Sequence, residues 1–273
     1  MRSMHPVYRI IRFCVWLFSP KYKVMGLENL PDGPGVVVGN HAQMHGPISV
    51  ELYFPEEHYT WCISEMMEKD KVASYAYKDF WSGKPRWIRP FYRLLSHLIP
   101  PLSVLIFTNA HTIPVYRDRR IMRTFQLSSE KLEENARVVI FPEDYTEYNN
   151  IVHRFQRGFV HIAKYHYRKT GVPLPFVPLY VCPALKLLVI GKPVLYDPSA
   201  GTEEEAERIC GYLQDEISEM AYRLPEHRVT PYPNIPRRYH PRNERGRSER
   251  ETGIPRSDRP CDERGWKVTE RER

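Results

Sequence analysis

Apolar and polar residues follow one another along the chain in segments of the length and period of an α/β fold. Three consecutive valines in GVVVGN (35–40) are bounded by glycine, which is typical of a strand buried in a parallel sheet. The other predicted segments are strands at 111–118, 137–143, 175–182 and 185–196 and helices at 120–135, 155–169 and 202–224. This alternation predicts an α/β domain, with a central mixed, largely parallel sheet flanked by helices.

Two local signals predict where helices begin and end. Thr202 is followed three residues later by Glu205, which is the spacing of a capping box and predicts the start of the last helix. The segment 91–107 is strongly apolar but contains Pro100-Pro101. It predicts a helix that ends before the prolines and a second buried stretch after them.

The N-terminal segment 7–18, VYRIIRFCVWLF, is apolar, aromatic and interrupted by Arg9 and Arg12. A membrane-spanning helix needs about 20 apolar residues, so this segment is too short and too charged to span. It is not typical of a cleaved secretory signal either, because Ser19-Pro20-Lys21 stands where a small-residue cleavage site belongs. An amphipathic helix at a lipid interface and a helix packed on the domain core both fit the pattern.

Composition sets the domain limits. The stretch after residue 237 contains few apolar side chains among many Arg, Glu and Pro residues, so it buries too little surface to offset the entropy of ordering. The sequence therefore predicts an amphipathic membrane-interface helix at 1–24, the α/β domain at 25–225 and a disordered tail at 226–273.

Charge and cysteine content narrow the class of protein. Of the formal net charge of +7, more than half lies in residues 237–273, so the domain itself is only weakly basic. This argues against nucleic-acid binding and is compatible with an anionic membrane surface. The five cysteines form no close pair, which argues against disulfides and a zinc cluster and favours a reducing compartment. We expect a peripheral or monotopic protein on the cytoplasmic side of the cell membrane.

Candidate chemistry begins directly after the valine strand, in the segment Asn40-His41-Ala42-Gln43-Met44-His45-Gly46. Open α/β sheets place their active sites outside the carboxyl ends of the strands, where His41 is expected. A neutral imidazole there removes a proton from a hydroxyl and passes it to a leaving group.

Four short blocks occur in a characteristic order. They are Asn40-His41, Ile113-Pro114-Val115-Tyr116-Arg117, Phe141-Pro142-Glu143 with Phe155-x-x-Gly158, and Val177-Pro178-Leu179. Over residues 25–200 this order resembles the family of 1-acylglycerol-3-phosphate acyltransferases, the glycerolipid acyltransferases.

The resemblance implies a function. Members of this family move a fatty-acyl group from acyl-CoA or acyl carrier protein to a hydroxyl of a lipid acceptor, with no bound cofactor or metal. It implies that His41 is the general base, that Arg117 contacts the acceptor phosphate and that Glu143 lines the site. Asn40 and Asp144, which adjoin His41 and Glu143, are further candidates for substrate binding.

The chain departs from the family pattern at two places. Gly46 stands where the family has the aspartate that orients the histidine, and Asp144-Tyr145-Thr146 stands where the family has Gly-Thr-Arg. The second change removes a phosphate-binding arginine. If the turn after the strand is helical, His45 lies one turn from His41 and either supports it or acts as the base. Alternatively, Glu143 or Asp144 supplies the missing carboxylate.

Three functions follow from these patterns. The first is a membrane-peripheral O-acyltransferase of phospholipid or related lipid synthesis. The second is a lipid-binding relative of the same fold that has lost catalysis. The third is a metal-dependent hydrolase that uses a ligand set drawn from His41, His45, Glu143 and Asp144.

Overall fold

The computed structural model describes residues 5–76 and 100–245. They belong to two compact units of the chain. The smaller unit contains the described residues up to 19 and between 61 and 124, and the larger unit contains residues 20–60 and 125–245.

The predicted alternation of strands and helices is present, although 185–196 forms two strands and the helix predicted at 155–169 begins at His161, after a short strand that ends at Phe155. The strands are β1 (Lys23–Met25), β2 (Gly35–Gly39), β3 (His58–Ile63), β4 (Thr112–Val115), β5 (Arg137–Ile140), β6 (Glu143–Glu147), β7 (His153–Phe155), β8 (Pro175–Cys182), β9 (Leu187–Ile190) and β10 (Val194–Leu195). The helices are α1 (Pro6–Phe18), α2 (His45–Tyr53), α3 (Lys69–Ala76), α4 (Pro100–Asn109), α5 (Ile121–Glu133), α6 (His161–Thr170) and α7 (Thr202–Arg223).

The valine strand β2 lies in the middle of the sheet. The strand order is β1-β9-β8-β2-β5-β3-β4, and β10 pairs with β8. β2 is parallel to both β5 and β8, whereas β9 and β10 run antiparallel to β8. Val36, Val37 and Val38 are fully buried, as expected for a strand covered on both faces. The prediction of a mixed, largely parallel sheet is therefore confirmed.

The last helix, α7, packs on β8 in the larger unit. Ile209, Leu213 and Ile217 recur every fourth residue along it and are fully buried. This spacing places the three side chains on one face of the helix. Their burial accounts for the stability of a helix of 22 residues whose other positions are largely polar.

Two helix starts differ from the sequence prediction. Pro100 and Pro101 begin α4, because proline needs no amide partner in the first turn of a helix; the part of the predicted helix at 91–99 lies outside the described residues. The N-cap of α7 is Gly201, so Thr202 is the first helical residue and the capping box does not form. The Thr202 hydroxyl instead accepts a hydrogen bond from Lys164, 2.5 Å away.

Residues 225–245, which we call the C-terminal strap, correct the predicted limit of the disordered tail. His227, Val229, Ile235 and Asn243 are buried, although the composition indicated a solvated extension. The Tyr180 hydroxyl lies 2.8 Å from Nε2 of His227, which ties the strap to β8. A few anchoring side chains suffice to order a segment that is otherwise polar. Residues 246–273 lie outside the described part of the chain.

The smaller unit contains the predicted N-terminal helix. His5 caps α1 by accepting a hydrogen bond from the Val7 amide, and its own amide donates to Asn109 at the end of α4. Most apolar side chains of α1 are exposed, with Phe13 at 58% and Phe18 at 86%, whereas Tyr8 is buried. Among residues 5–76 and 100–245, no helix combines the length and the apolar character needed to cross a bilayer.

Candidate active site

The loop after β2 presents His41 in an unusual backbone conformation. Ala42 and Gln43 both have positive φ angles, 45° and 57°. The loop is closed by two backbone hydrogen bonds, from the His45 amide to the Ala42 carbonyl (3.1 Å) and from the Gly46 amide to the His41 carbonyl (3.0 Å). Two consecutive left-handed residues other than glycine are uncommon and concentrate at functional sites.

Asn40 fixes the start of this loop against the sheet. Its side-chain amide donates to the Val181 carbonyl (3.1 Å) and its side-chain oxygen accepts from the Val181 amide (2.7 Å). The side chain thus extends the pairing of β2 with β8 by one step. Because both polar groups are engaged and Asn40 is buried, this geometry holds the neighbouring residue, His41, in place.

Glu143 fixes the same loop from the other side. One carboxylate oxygen accepts from the His41 amide (2.5 Å) and the other from the His153 amide (2.9 Å). Burial raises the pKa of this carboxyl group to about 7, although the two amide donors favour its charged form. Glu143 therefore joins the loop after β2 to β7 through backbone contacts.

The imidazole of His41 lies among aromatic rings. Its centroid is 5.6 Å from Phe141 and 5.5 Å from Tyr232, each at 69° to the imidazole plane. Nδ1 is buried and accepts or donates no hydrogen bond within the described part of the chain. Burial lowers the pKa of His41, and the carbonyl groups of Gln43 and of His41 itself oppose this only in part. The ring is therefore neutral at pH 7 and able to accept a proton.

Gly46 leaves no room for the family aspartate. A Cβ atom at this position would lie 2.5 Å from the His41 carbonyl oxygen and 3.0 Å from the ring of Phe141. Real contacts of a Cβ atom are longer, so any side chain at 46 forces the loop to move. The loop conformation seen here therefore requires glycine at position 46.

Of the three expected substitutes for this aspartate, Glu143 accepts from the backbone amides of His41 and His153 and does not bond the ring, and the other two are placed elsewhere. The turn before His45 is not helical, because Ala42 and Gln43 are left-handed, and His45 is exposed at the start of α2. Asp144 accepts two hydrogen bonds from the guanidinium of Arg154, at 3.0 and 2.9 Å, and one from the Thr146 amide. Neither residue supplies a partner for Nδ1 of His41.

Arg117 belongs to the smaller unit, where it follows β4 and is exposed. Its contact with an acceptor phosphate stays a prediction. Among the described residues, no group of three or more His, Cys, Asp or Glu side chains is arranged to hold a metal ion. The four residues of the metal-hydrolase alternative therefore do not form a ligand set.

Sequence reasoning missed two residues of this site, His153 and Tyr232. The Tyr232 ring lies 6.2 Å from that of His153 and 5.1 Å from that of Tyr145. Burial lowers the pKa of His153, while the Tyr145 carbonyl and the charge of Asp144 oppose this shift. His153 lies two residues before the motif block that begins at Phe155. This proximity was a weak indication in the sequence that His153 belongs to the site. The sequence contained none for Tyr232, since it lies in the strap.

Of the comparisons with known proteins, a family model agrees with the motif blocks. A search of curated proteins found no significant match. The chain is similar to the crystal structure of the 1-acyl-sn-glycerophosphate (LPA) acyltransferase PlsC from Thermotoga maritima, with 19% identity, a TM-score of 0.48, and coverage of 82% of this chain and 86% of that one. The sequence model named Acyltransferase matches residues 21–182, more than half of the chain, and confirms the resemblance. The chain belongs to the acyltransferase family.

Proposed function

We propose that this protein transfers a fatty-acyl group from acyl-CoA or acyl carrier protein to a hydroxyl of a lysophospholipid or a related lipid acceptor. The observation that carries the proposal is the imidazole of His41, which follows the central strand and is kept neutral by burial. Two side chains, Asn40 and Glu143, hold the backbone on either side of it.

The proposed reaction uses the outer nitrogen of His41. Because Nδ1 is buried, Nε2 is the nitrogen available to a substrate. It takes the proton of the acceptor hydroxyl as the oxygen attacks the thioester carbonyl carbon. When the resulting tetrahedral intermediate breaks down, the carbon–sulfur bond is cleaved and the imidazolium returns the proton to the departing thiolate. The products are an ester and a free thiol.

The reaction is expected to be slow. Within residues 5–76 and 100–245, no carboxylate lies on Nδ1 to stabilise the imidazolium. In a serine-protease triad, the loss of that carboxylate's charge lowers kcat by about 10⁴-fold. The raised pKa of Glu143 brings its carboxylate to partial charge near pH 7, so it adds only part of a stabilising charge to the loop. Burial of the ring disfavours its charged form as well, which adds to the cost of proton transfer from the acceptor hydroxyl.

A membrane surface is the proposed source of the acceptor. The exposed apolar side chains of α1, among them Ile10, Phe13 and Phe18, suit a helix lying in the lipid interface. Arg9 and Arg12 on the same helix favour anionic headgroups. We therefore place the protein at the cytoplasmic surface of the cell membrane, as a peripheral or monotopic protein.

One observation favours a second candidate, a lipid-binding relative without catalysis. The unpartnered Nδ1 of His41 and the closed packing at Gly46 are what remains when an orienting carboxylate is lost. This relative binds lipid and acyl-CoA, but its behaviour does not depend on the imidazole.

Replacement of His41 distinguishes the two candidates. We expect His41→Ala to lower the release of free thiol from acyl-CoA, measured with a panel of lysolipid and monoacylglycerol acceptors, by at least about 100-fold, the lower range for a lost general base. The matched control is His45→Ala, an exposed histidine four residues away, which leaves the rate unchanged. Thiol release that is absent in the wild type, or insensitive to His41→Ala, contradicts the catalytic proposal.

A further inference from the structure

The C-terminal strap brings an aromatic side chain to the catalytic loop from outside the segment that matches the family. Residues 21–182 match, whereas Tyr232 lies 50 residues beyond that segment. Pro231 and Pro233, on either side of it, are buried. The side-chain amide of Gln43 donates to the Pro233 carbonyl at 3.3 Å, so the strap also contacts the loop through its backbone.

The imidazole of His41 lacks the usual means of orientation. A histidine base is normally held by a hydrogen bond on the nitrogen that faces away from the substrate. Here Nδ1 makes no such bond with any described residue. The torsion that turns an imidazole ring has broad minima, so packing must select the orientation when no hydrogen bond does.

The aromatic neighbours of His41 supply that packing. Phe141 and Tyr232 each meet the imidazole in an edge-to-face arrangement, at 5.6 and 5.5 Å between centroids. Phe141 is fixed at the end of β5, directly before Pro142. Tyr232 is held in turn against Tyr145, 5.1 Å away.

We propose that Tyr232 is a positioning residue for His41, which it orients by ring packing in place of the hydrogen bond that a carboxylate on Nδ1 would make. The inference deepens the proposed function and rests on it. Tyr232 also covers the imidazole, which shields the ring from water and keeps it neutral. The strap thereby becomes part of the active site.

Other titratable groups surround this contact. Glu143 accepts a hydrogen bond from the His41 amide. Because the pKa of Glu143 is about 7, its titration also contributes to the dependence of activity on pH. Tyr145 and His153 face Tyr232, and Asp144 acts through its charge on both Glu143 and His153. An activity profile alone therefore does not isolate His41, and its imidazole must be followed directly.

The test follows the His41 ring by NMR titration in the full chain, with the signal assigned by its loss in His41→Ala. In the wild type, we expect a pKa below the ordinary value of 6.5, because burial disfavours the charged ring. Tyr232→Ala admits water, so the pKa rises toward 6.5 and the acidic limb of kcat moves to higher pH. We expect kcat to fall by up to about 100-fold, the cost of a misplaced catalytic group, with KM little changed.

Two further variants separate positioning from a general structural role. Tyr232→Phe keeps the aromatic ring, so we expect it to retain both the wild-type titration of His41 and the wild-type kcat. Tyr239→Ala removes a tyrosine of the same strap whose ring lies against Arg238, and leaves both unchanged. If Tyr232→Ala does not fold, Tyr232→Leu replaces it, because leucine keeps the apolar bulk and lacks the ring.

The outcomes distinguish this inference from the proposed function. If the wild type releases thiol but Tyr232→Ala changes neither the His41 titration nor kcat, the positioning role is overturned. The acyltransferase proposal is then unaffected. If the wild type releases no thiol with any acceptor, the proposed function fails. The titration then decides alone: a shift in Tyr232→Ala supports orientation of the imidazole by Tyr232, and no shift overturns it.

Discussion

At the scale of single residues, the packing around Gly46 leaves no room for a side chain at this position. The nearest atom to a Cβ at this position is the backbone oxygen of His41, which cannot move unless the loop after β2 moves with it. A side chain at 46 therefore competes with the conformation that presents the imidazole. Introducing aspartate here is not a simple restoration of the family motif.

We expect Gly46→Ala to lower the free energy of unfolding by about 1–3 kcal/mol, the usual cost of overpacking, and to lower thiol release as well. The matched control is Gly211→Ala in α7, where no atom lies within 4 Å of the added Cβ. That change raises stability by up to about 1 kcal/mol, because alanine is the better helix former. Urea denaturation measures both. A Gly46→Ala protein as stable as the wild type would show that the loop adapts freely.

At the scale of elements, the strap depends on a small number of anchoring side chains. Asn243 is the most connected of these: its oxygen accepts from the His227 amide (2.8 Å), and its amide group donates to the carbonyls of Ala221 (2.8 Å), Leu224 and Pro225. It thereby ties the end of α7 to the end of the strap. The same anchor holds the segment that carries Tyr232.

Asn243→Ala leaves these backbone groups without their partner, and we expect a loss of about 1–3 kcal/mol in the free energy of unfolding. Thiol release falls too, because the strap that carries Tyr232 loosens. Asn234→Ala is the control, since Asn234 lies in the same strap and is exposed. Thermal unfolding and the thiol assay are the measurements. Equal behaviour of the two variants would argue that Asn243 does not hold the strap.

At the scale of the whole molecule, the exposed apolar side chains of the described residues are concentrated on α1. Seven of its residues are exposed apolar side chains: Val7, Ile10, Phe13, Val15, Trp16, Leu17 and Phe18. The larger unit also exposes apolar side chains. Two of these, Val172 and Leu195, do not belong to a helix. A lipid surface offers the α1 side chains an apolar environment that water does not.

We expect the double change Phe13→Ser with Phe18→Ser to weaken binding to vesicles that contain anionic lipid. Burying one such side chain contributes about 1.5–3 kcal/mol, so each loss reduces partitioning by roughly tenfold or more. The control is Val172→Ser with Leu195→Ser, which removes two exposed apolar side chains of the larger unit. Cosedimentation with vesicles measures both. If the two pairs have the same effect, α1 is not the lipid-binding element.

The sequence by itself determined the features that depend on neighbouring residues or on the family blocks. Three valines between glycines marked the central strand, and the histidine after it lies at the carboxyl end of that strand because chain direction fixes the position. The burial of every fourth residue in α7 likewise follows from helix period. The acyltransferase family was readable from four short blocks that the chain keeps in order.

Only the tertiary structure decided how His41 is held. The partners of its loop come from distant segments, Glu143 from β6, Val181 from β8 and Tyr232 from the strap, and no local pattern relates them to position 41. The strap also differs from what its composition indicates, because several buried side chains, among them His227 and Asn243, order a largely polar segment. Local preferences determine which elements form, whereas long-range packing determines which side chains meet, and the environment of His41 depends on long-range packing.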